Sequence, residues 1–468
     1  MLTTQAVKAD RKLLWLGTGV LLGLILWFMP TPAGLTVAGQ HALAVVIFTV
    51  FLWVSGAVPT SVGSLMMIGI VLCLMPNEVP ATKFLSFWTQ DTMWFVLVSF
   101  IFSVVIQKSG LGNRLAIYVF SLRNLLVIDI ALLVLNALFS VVGMAASFPK
   151  LVLLMPLVVS MAALSGMPKE DPYVRHVALM INVLANQTGL LVYSGFVLNP
   201  ALGPLGGFQL DYTKWLQWFF PPALVYTLIS FVVLYLLFRP ARGANGFDVK
   251  VIEEKRRELG PLSRKEQKAI VWLVVAVVLW ATGGMTGIPA GFAAVLVAAM
   301  LMLPGIGVVN FKEFVQATDW NTVFMLMGVL SIGALGATGF AKWLWGHILP
   351  SQLPGNPMVA LVLISFLVEL LHIPLGSLGT TQALAVPSLA AYGPTVGMSS
   401  ELLSIVAYMS IVGQFFFVYQ NAALVAGQGF GLWKPKDILK FGAAMFVVTP
   451  LVMGVVLLPW WLHMGWIR

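Results

Sequence analysis

"GMAASFPKLVLLMP", residues 143–156, holds a single charge, Lys150, directly after a proline in an otherwise apolar run. The nearest charges along the chain are Asp129 and Lys169. A lysine at the centre of a bilayer costs roughly 2.5–3.5 kcal/mol on insertion scales, so it needs a reason to be there. The surrounding composition makes the bilayer the relevant solvent. Of 468 residues, 60% are hydrophobic and only 9% charged, against about 25% charged in soluble domains. The chain reads as an all-α polytopic membrane protein. Its one cysteine, Cys73, excludes a disulfide framework and any multi-cysteine metal site. The net charge of +9 does not imply nucleic acid, because the basic residues gather in loops, as orientation in a membrane requires.

Apolar runs of about 15–22 residues suit helices crossing a core about 30 Å thick. Such runs lie at Leu13–Met29, His41–Val54, Thr60–Met75, Thr92–Ile106, Val174–Leu198 and Phe219–Phe238, then at Ile270–Thr282, Ala290–Leu303, Thr322–Gly336, Leu402–Leu424 and Ala443–Trp461. Leu13–Met29 is read as a first membrane helix and not as a cleaved signal. The runs are continuous and do not alternate, which argues against strands. The opening stretch belongs to a different kind of segment. Val127–Ala163 and Val359–Leu389 are apolar but interrupted by small and polar residues and a proline. They are expected to be broken, re-entrant helical hairpins, because irregular backbone survives at membrane depth only beside protein or a water-filled cavity. The fold expected is therefore eleven transmembrane helices plus two re-entrant hairpins.

The long polar segment Arg239–Lys268 carries nine Lys/Arg and five Asp/Glu. It is expected to be a solvated loop, cytoplasmic by the positive-inside rule. The N-terminus, with Lys8, Arg11 and Lys12, is placed on the same side, and the C-terminus outside, with the inner (plasma) membrane as the location.

The two halves match. "VPTSVGSLMMIGIVLCLMP" (58–76) pairs with "IPAGFAAVLVAAMLMLP" (288–304), Thr92 with Thr322, Gly110 with Gly339, Pro156 with Pro387, and Asn199 with Asn421. The chain divides into an N-terminal helix (1–37), a first repeat (38–238), the polar connector (239–268) and a second repeat (269–468). Five crossings and one broken segment per repeat make the copies inverted in the membrane. Inverted repeats with unwound half-helices typify secondary transporters, with substrate held at the midplane.

The broken segments are where chemistry is expected. "AASFPK" offers Ser147 and Lys150; "HIPLGSLGTTQALAVP" offers His372, Ser377, Thr380 and Thr381. Lys150 and Thr381 each lie six residues before their paired prolines. A fixed positive charge facing a group of hydroxyls suits an anion with several oxygens. A second pair of interruptions, "VYSGFVLNP" (Ser194, Gly195, Asn199) and "VYQNAALVAGQG" (Gln420, Asn421), can unwind and expose backbone groups. The blander readings are that Lys150 snorkels to an interface, that the hydroxyls bond their own helices, and that Glu369 and His372, three residues apart, form a helix-surface pair instead of coupling protons. Enzyme motifs are missing: there is no H-E-x-x-H, P-loop or dinucleotide fingerprint. No cofactor is expected other than sodium as a coupling ion.

At these residues the chain resembles the divalent anion:sodium symporters (DASS) over nearly its whole length. "FWTQDTMWFVLVSFIFSVVIQKSGLGNRLA" and "DWNTVFMLMGVLSIGALGATGFAKWLW" look like that family's paired helix openings. The resemblance implies a homodimer, an elevator movement of a transport domain against a scaffold, and hairpin tips that bind sodium and the oxygens of a small anion. It carries the substrate contacts onto Ser147, Phe148, Ser377, Leu378, Gly379 and Thr380, with weak sodium sites near Ala146, Ser147 and Ser377. The family's Ser-Asn-Thr tips are largely gone: Ala146-Ser147-Phe148-Pro149 and Ser377-Leu378-Gly379-Thr380 stand instead. A basic residue at Lys150, and a His five residues before a Ser-Leu pair (His372, Ser377-Leu378), are similar to the citrate/succinate and 2-oxoglutarate/malate exchanger branch. The expectation is an alternating-access carrier of di- or tricarboxylates, with exchange or proton coupling ranked above sodium symport. The alternatives are a sodium-coupled dicarboxylate or sulfate symporter, a cation/proton antiporter of the same superfamily, and, from another class, a membrane-embedded enzyme.

Overall fold

The computed structural model describes residues 2–122, 124–143, 147–241, 246–340, 343–344, 347, 354–375, 377–413 and 415–467. Among these residues it is all-helical apart from one isolated bridge, Met398 to Ile467. The principal helices are α1 (Leu2–Phe28), α2 (Val37–Ser55), α3 (Thr60–Leu74), α4 (Asp91–Ser109), α5 (Leu111–Phe120), α6 (Leu125–Val141), α7 (Ser147–Leu164), α8 (Pro172–Gln187) and α9 (Phe220–Phe238). They continue with α10 (Val249–Glu258), α11 (Arg264–Ala281), α12 (Ala290–Met302), α13 (Phe311–Ala317), α14 (Trp320–Leu335), α15 (Pro357–Leu375), α16 (Leu378–Tyr392), α17 (Ser400–Val412), α18 (Ala422–Gly429) and α19 (Pro435–Leu451).

Five helices or continuous helical stretches are long and apolar enough to cross a membrane, and six if the bent pair α13–α14 is one span. Six shorter apolar helices accompany them. The protein is a multi-pass membrane protein.

Both interrupted segments break where the sequence places them. The first runs α6, break, α7; the second runs α15, break, α16. Two runs read as single spans are also broken. Val174–Leu198 is helical only to Gln187, then passes through short turns of 3₁₀-helix at Thr188–Leu191 and Tyr193–Gly195. Leu402–Leu424 stops at Val412 and resumes at Ala422. The interruption 192–200 and the start of 418–429, both expected to be able to unwind, fall in these irregular stretches, where the backbone is paired with protein and not with water. The last span bends through a π-turn at Val452–Val456. The connector is not merely a solvated loop: it forms α10, and Phe247 and Ile252 are buried.

Hydrophobicity cannot glue apolar helices together inside lipid, so close approach at small residues does. Gly328 of α14 lies on Ser64 of α3, and Gly291 of α12 lies on the Asp91 backbone of α4. These contacts exchange partners between the halves: α3 packs on α14, while α12, the counterpart of α3, packs on α4, the counterpart of α14. Within each half, α6 and α7 pack on α8, and α15 and α16 pack on α17.

One ion pair ties the connector down. Arg114 of α5 donates from Nε to Glu266 Oε1 at 2.6 Å and from Nη2 to Oε2 at 3.1 Å, and its guanidinium also meets the carbonyls of Leu259, Gly260 and Pro261. Glu266 in turn caps α11 with Ser263. The guanidinium hydrogen bond holds the Glu266 carboxyl far below its usual range, at about 2.

Candidate functional site

The two hairpin breaks and the two unwound loops assemble a polar interior in an apolar protein. The first hairpin centres on Lys150, which is 0% exposed. It does not snorkel. Its Nζ donates to Ser140 Oγ at 2.6 Å and to the Ala185 carbonyl at 3.2 Å. No carboxylate lies within ion-pair distance of Lys150 among the described residues. An uncompensated ammonium in a low-dielectric interior is costly, and here neutral oxygens carry the compensation. Beside it, Ser147 Oγ donates to Asn186 Oδ1 at 2.6 Å, and Asn421 Nδ2 donates to the same oxygen at 2.8 Å. Lys150 and Ser147 thus share the end of α8, and Asn421, from the C-terminal half of the chain, joins them there.

The first unwound loop closes this side. Ser194 Oγ donates to the carbonyls of Ser140 and Val141, the last turn of α6. Gly195 is required by proximity: a Cβ there would lie 2.5 Å from the Gly189 carbonyl oxygen and 3.0 Å from Ser140 Cβ. Asn199 Nδ2 donates to the Gly189 and Val192 carbonyls at 2.8 and 2.9 Å, and Tyr408 OH donates to Asn199 Oδ1 at 2.6 Å. Asn199 therefore replaces the backbone bonds that the unwinding removed, which is what buried peptide groups demand.

The second hairpin is built from neutral groups. His372 Nδ1 lies 2.9 Å from Thr381 Oγ1, whose hydroxyl donates to the Ser377 carbonyl, also at 2.9 Å. The hydroxyl proton being spent, Nδ1 is the donor to Thr381, and Nε2 is left as an acceptor with no partner among the described residues. Ser377 caps α16 through the Thr380 amide, and the Thr380 hydroxyl is buried without a partner. Gly379 faces Met325 and Val329 of α14, and Leu378 is buried. Gln420 Nε2 donates to the His372 carbonyl at 3.4 Å, and its Oε1 accepts from the amides of Phe416 and Phe417. Gln420 and Asn421, adjacent in sequence, thus bond to the two hairpin clusters separately. Gln382 Nε2 adds a bond to the Leu198 carbonyl at 3.0 Å, from the second hairpin to the first unwound loop.

Glu369 corrects one expectation. It and His372 are both fully buried, so they are no helix-surface pair. Neither carboxyl oxygen of Glu369 meets the geometric criteria for a hydrogen bond among the described residues; the Thr449 hydroxyl of α19 is the polar group that faces it. Thr449 is itself bonded to Tyr226 OH at 2.8 Å. Ala146 and the Phe148 side chain lie outside the described residues.

Sequence reasoning missed Ser140, Ala185 and Asn186 as partners of the hairpin. Asn182 and Asn186, four apart in an apolar span, were the available signal: a polar stripe on one face of α8. It also missed a buried pair, His176 Nε2 to Asp129 Oδ2 at 2.9 Å, between α8 and α6. No group of three His, Cys, Asp or Glu that could hold a metal occurs among the described residues.

Comparison with known proteins follows the same pattern. The sequence model described as "Sodium:sulfate symporter transmembrane region" matches residues 11–467. A "Dicarboxylate transporter 1, chloroplastic" of Spinacia oleracea is 25% identical over 69% of this chain, and the chain spans 58% of that relative's length. The "Citrate/succinate antiporter" of Escherichia coli (strain K12) is 23% identical over 94% of this chain and 95% of its own. A "Dicarboxylate transporter 2.2, chloroplastic" of Arabidopsis thaliana is 22% identical over 97% and 85%.

Proposed function

Because the chain belongs to the sodium:sulfate symporter family, we propose that it is a secondary transporter of small di- or tricarboxylates that works by exchange. The observation that carries this reading is Lys150, whose ammonium sits among the Ser140 and Ala185 oxygens at the first hairpin. Those are the hard oxygen ligands a small cation would use. A sodium ion bound to them would meet an ammonium of like charge, so the residues present do not fit sodium at this hairpin. Lys150 supplies the positive charge in the cation's place and cannot leave with the substrate. An empty carrier would then have to move a bare buried ammonium through the membrane, while a loaded one has it paired with a carboxylate of the anion. That difference favours exchange over net uptake.

In this reading Ser147, Phe148, Ser194, Gly195 and Asn199, with Ser377, Leu378, Gly379, Thr380, Thr381, Gln420 and Asn421, surround the anion. Positioned neutral donors orient its oxygens, and Lys150 offsets its charge. The exchanged pairing of α3 with α14 and α4 with α12 supports inverted repeats. Alternating access by an elevator movement, a homodimer, and a cytoplasmic connector with the C-terminus outside complete the proposal. Citrate/succinate exchange in the Escherichia coli relative supports the substrate class.

The test is counterflow of succinate in proteoliposomes with sodium replaced by choline. Exchange should persist at an unchanged rate. Strict dependence on sodium would sink the exchange reading and favour symport, with the ion near Ser377, where the Thr380 hydroxyl is buried without a partner. A second reading, proton coupling, rests on Glu369, whose buried carboxyl faces the Thr449 hydroxyl and no cation among the described residues, and on His372. It requires that a pH gradient alone drive succinate accumulation, and that Glu369→Gln abolish that accumulation but spare counterflow.

A further inference from the structure

A cavity lies outside the hairpin cluster. It has a volume of about 520 Å³ and is lined by Phe100, Ser103, Gln107 and Lys108 of α4, Glu313 and Gln316 of α13, and Pro149 of α7, among others. That size falls in the range of about 300–1,000 Å³ usual for small-ligand sites. Its polarity is graded. Gln107, Lys108 and Gln316 are exposed at the mouth, while Phe100 and Ser103 are buried deeper. Pro149, the hairpin residue on its wall, is the immediate neighbour of Lys150. The cavity therefore runs from a charged rim to the first turn of α7.

The mouth opens on the face that carries the connector. Trp272 Nε1, midway along α11, donates to the Ile306 carbonyl at 3.1 Å, and Nζ of Lys268, the last residue of the connector, donates to the Gly305 carbonyl, so the turn before α13 sits beside the connector's end. At the rim Lys108 Nζ donates to Glu313 Oε1 at 2.9 Å, with 55% and 27% of the two side chains exposed. Lys265 also acts on Glu313, and the hydrogen bond from Lys108 comes first among the influences that hold this carboxyl below its ordinary range. Lys108 and Glu313 are thus a balanced pair within the lining, and the lysine becomes available to an anion only when Glu313 lets it go.

We infer that this cavity is the access vestibule through which the anion reaches the first hairpin from the connector face, with Lys108 as its recruiting charge and Glu313 as the internal competitor the anion displaces. The inference rests on the transport reading above. A cation at the mouth of a low-dielectric cleft concentrates anions locally, and salt weakens the effect. Glu313 occupies Lys108 when no substrate is present, so loss of its charge frees the lysine. Glu313 also caps α13 with Asn310, a function glutamine retains.

The experiment is sided transport of succinate in right-side-out and inside-out membrane vesicles. Lys108→Gln should raise KM on the connector face by about tenfold, leave kcat unchanged, and keep KM on the opposite face within about twofold. Glu313→Gln should lower the connector-face KM. Added salt should raise the wild-type connector-face KM and barely move that of Lys108→Gln. Equal KM changes on both faces, or no change in either variant, would overturn the inference. So would failure of an impermeant thiol reagent to label Ser103→Cys, in a Cys73→Ser background, from the connector face. That labelling needs no transport. Wild-type vesicles that do not carry succinate at all would instead count against the transport reading, whatever the labelling shows.

Discussion

The two hairpins have the same backbone plan and opposite chemistry. In the first, a fully buried lysine is held by a hydroxyl and a carbonyl. In the second, a fully buried histidine is held by a threonine, and nothing permanently charged is present at the break. Position matters as much as type. Lys150 and Thr381 occupy corresponding places before their prolines, so one side chain in each repeat decides which half contributes the charge. A strictly symmetric pair of lysines would repel across the interior. A strictly symmetric pair of threonines would leave a multivalent anion without a counter-charge. The difference teaches that two helix breaks of similar plan can hold different chemistry, one a buried lysine and the other neutral hydrogen-bonding groups.

The largest expected effect breaks this division at its charged end. Lys150→Ala removes the only cation at the first hairpin among the described residues, and succinate affinity should fall by about 100-fold or more, on the order of 3 kcal/mol for a charge-assisted contact. Calorimetry on purified protein measures this, with size exclusion to show that the fold persists. Unchanged affinity would confine Lys150 to a structural role.

Next comes the packing of the two sides. Gly195→Ala places a Cβ against the Gly189 carbonyl and Ser140, neither of which can yield cheaply. It should cost about 1–3 kcal/mol and lower the melting temperature by several degrees. Gly379→Ala meets the end of the Met325 side chain at 3.0 Å, and methionine adapts readily. Its cost should stay under about 1 kcal/mol. Thermal melts of the two variants side by side test the contrast, and equal losses would contradict it.

A smaller effect is expected from His372→Ala. It removes one neutral hydrogen bond, worth about 1 kcal/mol, so succinate affinity should drop roughly fivefold, far less than for Lys150→Ala. A loss as large as that of Lys150→Ala would mean that the second hairpin also carries charge.

A further effect lies outside both hairpins, and it shows how a buried charge with a paired partner differs from the buried lysine. The Glu266 carboxyl is depressed from 4.5 to about 2 by Arg114. A depressed carboxylate contributes stability that is present above its unfolded value and lost as pH falls toward its folded one. Stability should therefore decline between about pH 4.5 and pH 2, and Glu266→Gln should flatten that part of the profile. Chemical denaturation across this pH window measures it.

Much of this architecture was legible before any coordinates. The interrupted runs at Val127–Ala163 and Val359–Leu389 break in the structure as their small and polar residues and prolines suggest. The unwinding in the second pair of interruptions was also expected, but it begins earlier than those motifs, directly after Gln187 and Val412. Their repair is non-local: Asn199 bonds back across the loop, and Gln420 caps the amides of Phe416 and Phe417. Ser140 escaped notice for the same reason. A serine in an apolar helix usually bonds its own backbone, and this one does so, to Asn136. Only the arrival of the ammonium ten residues further along the chain gives it a second task.

By itself, the sequence determined what kind of solvent surrounds this protein, where its helices interrupt, and that Lys150 needs compensation. Those are local matters, set by hydropathy, by proline and by the cost of an unpaired charge. Only the tertiary structure decided where that compensation comes from. A lysine side chain can reach out to an interface or inward to polar groups, and the sequence around Lys150 is compatible with both. The choice was made by the Ala185 carbonyl at the end of another helix and by the Ser140 hydroxyl across the hairpin break, which the fold brings within 3.2 Å of the ammonium.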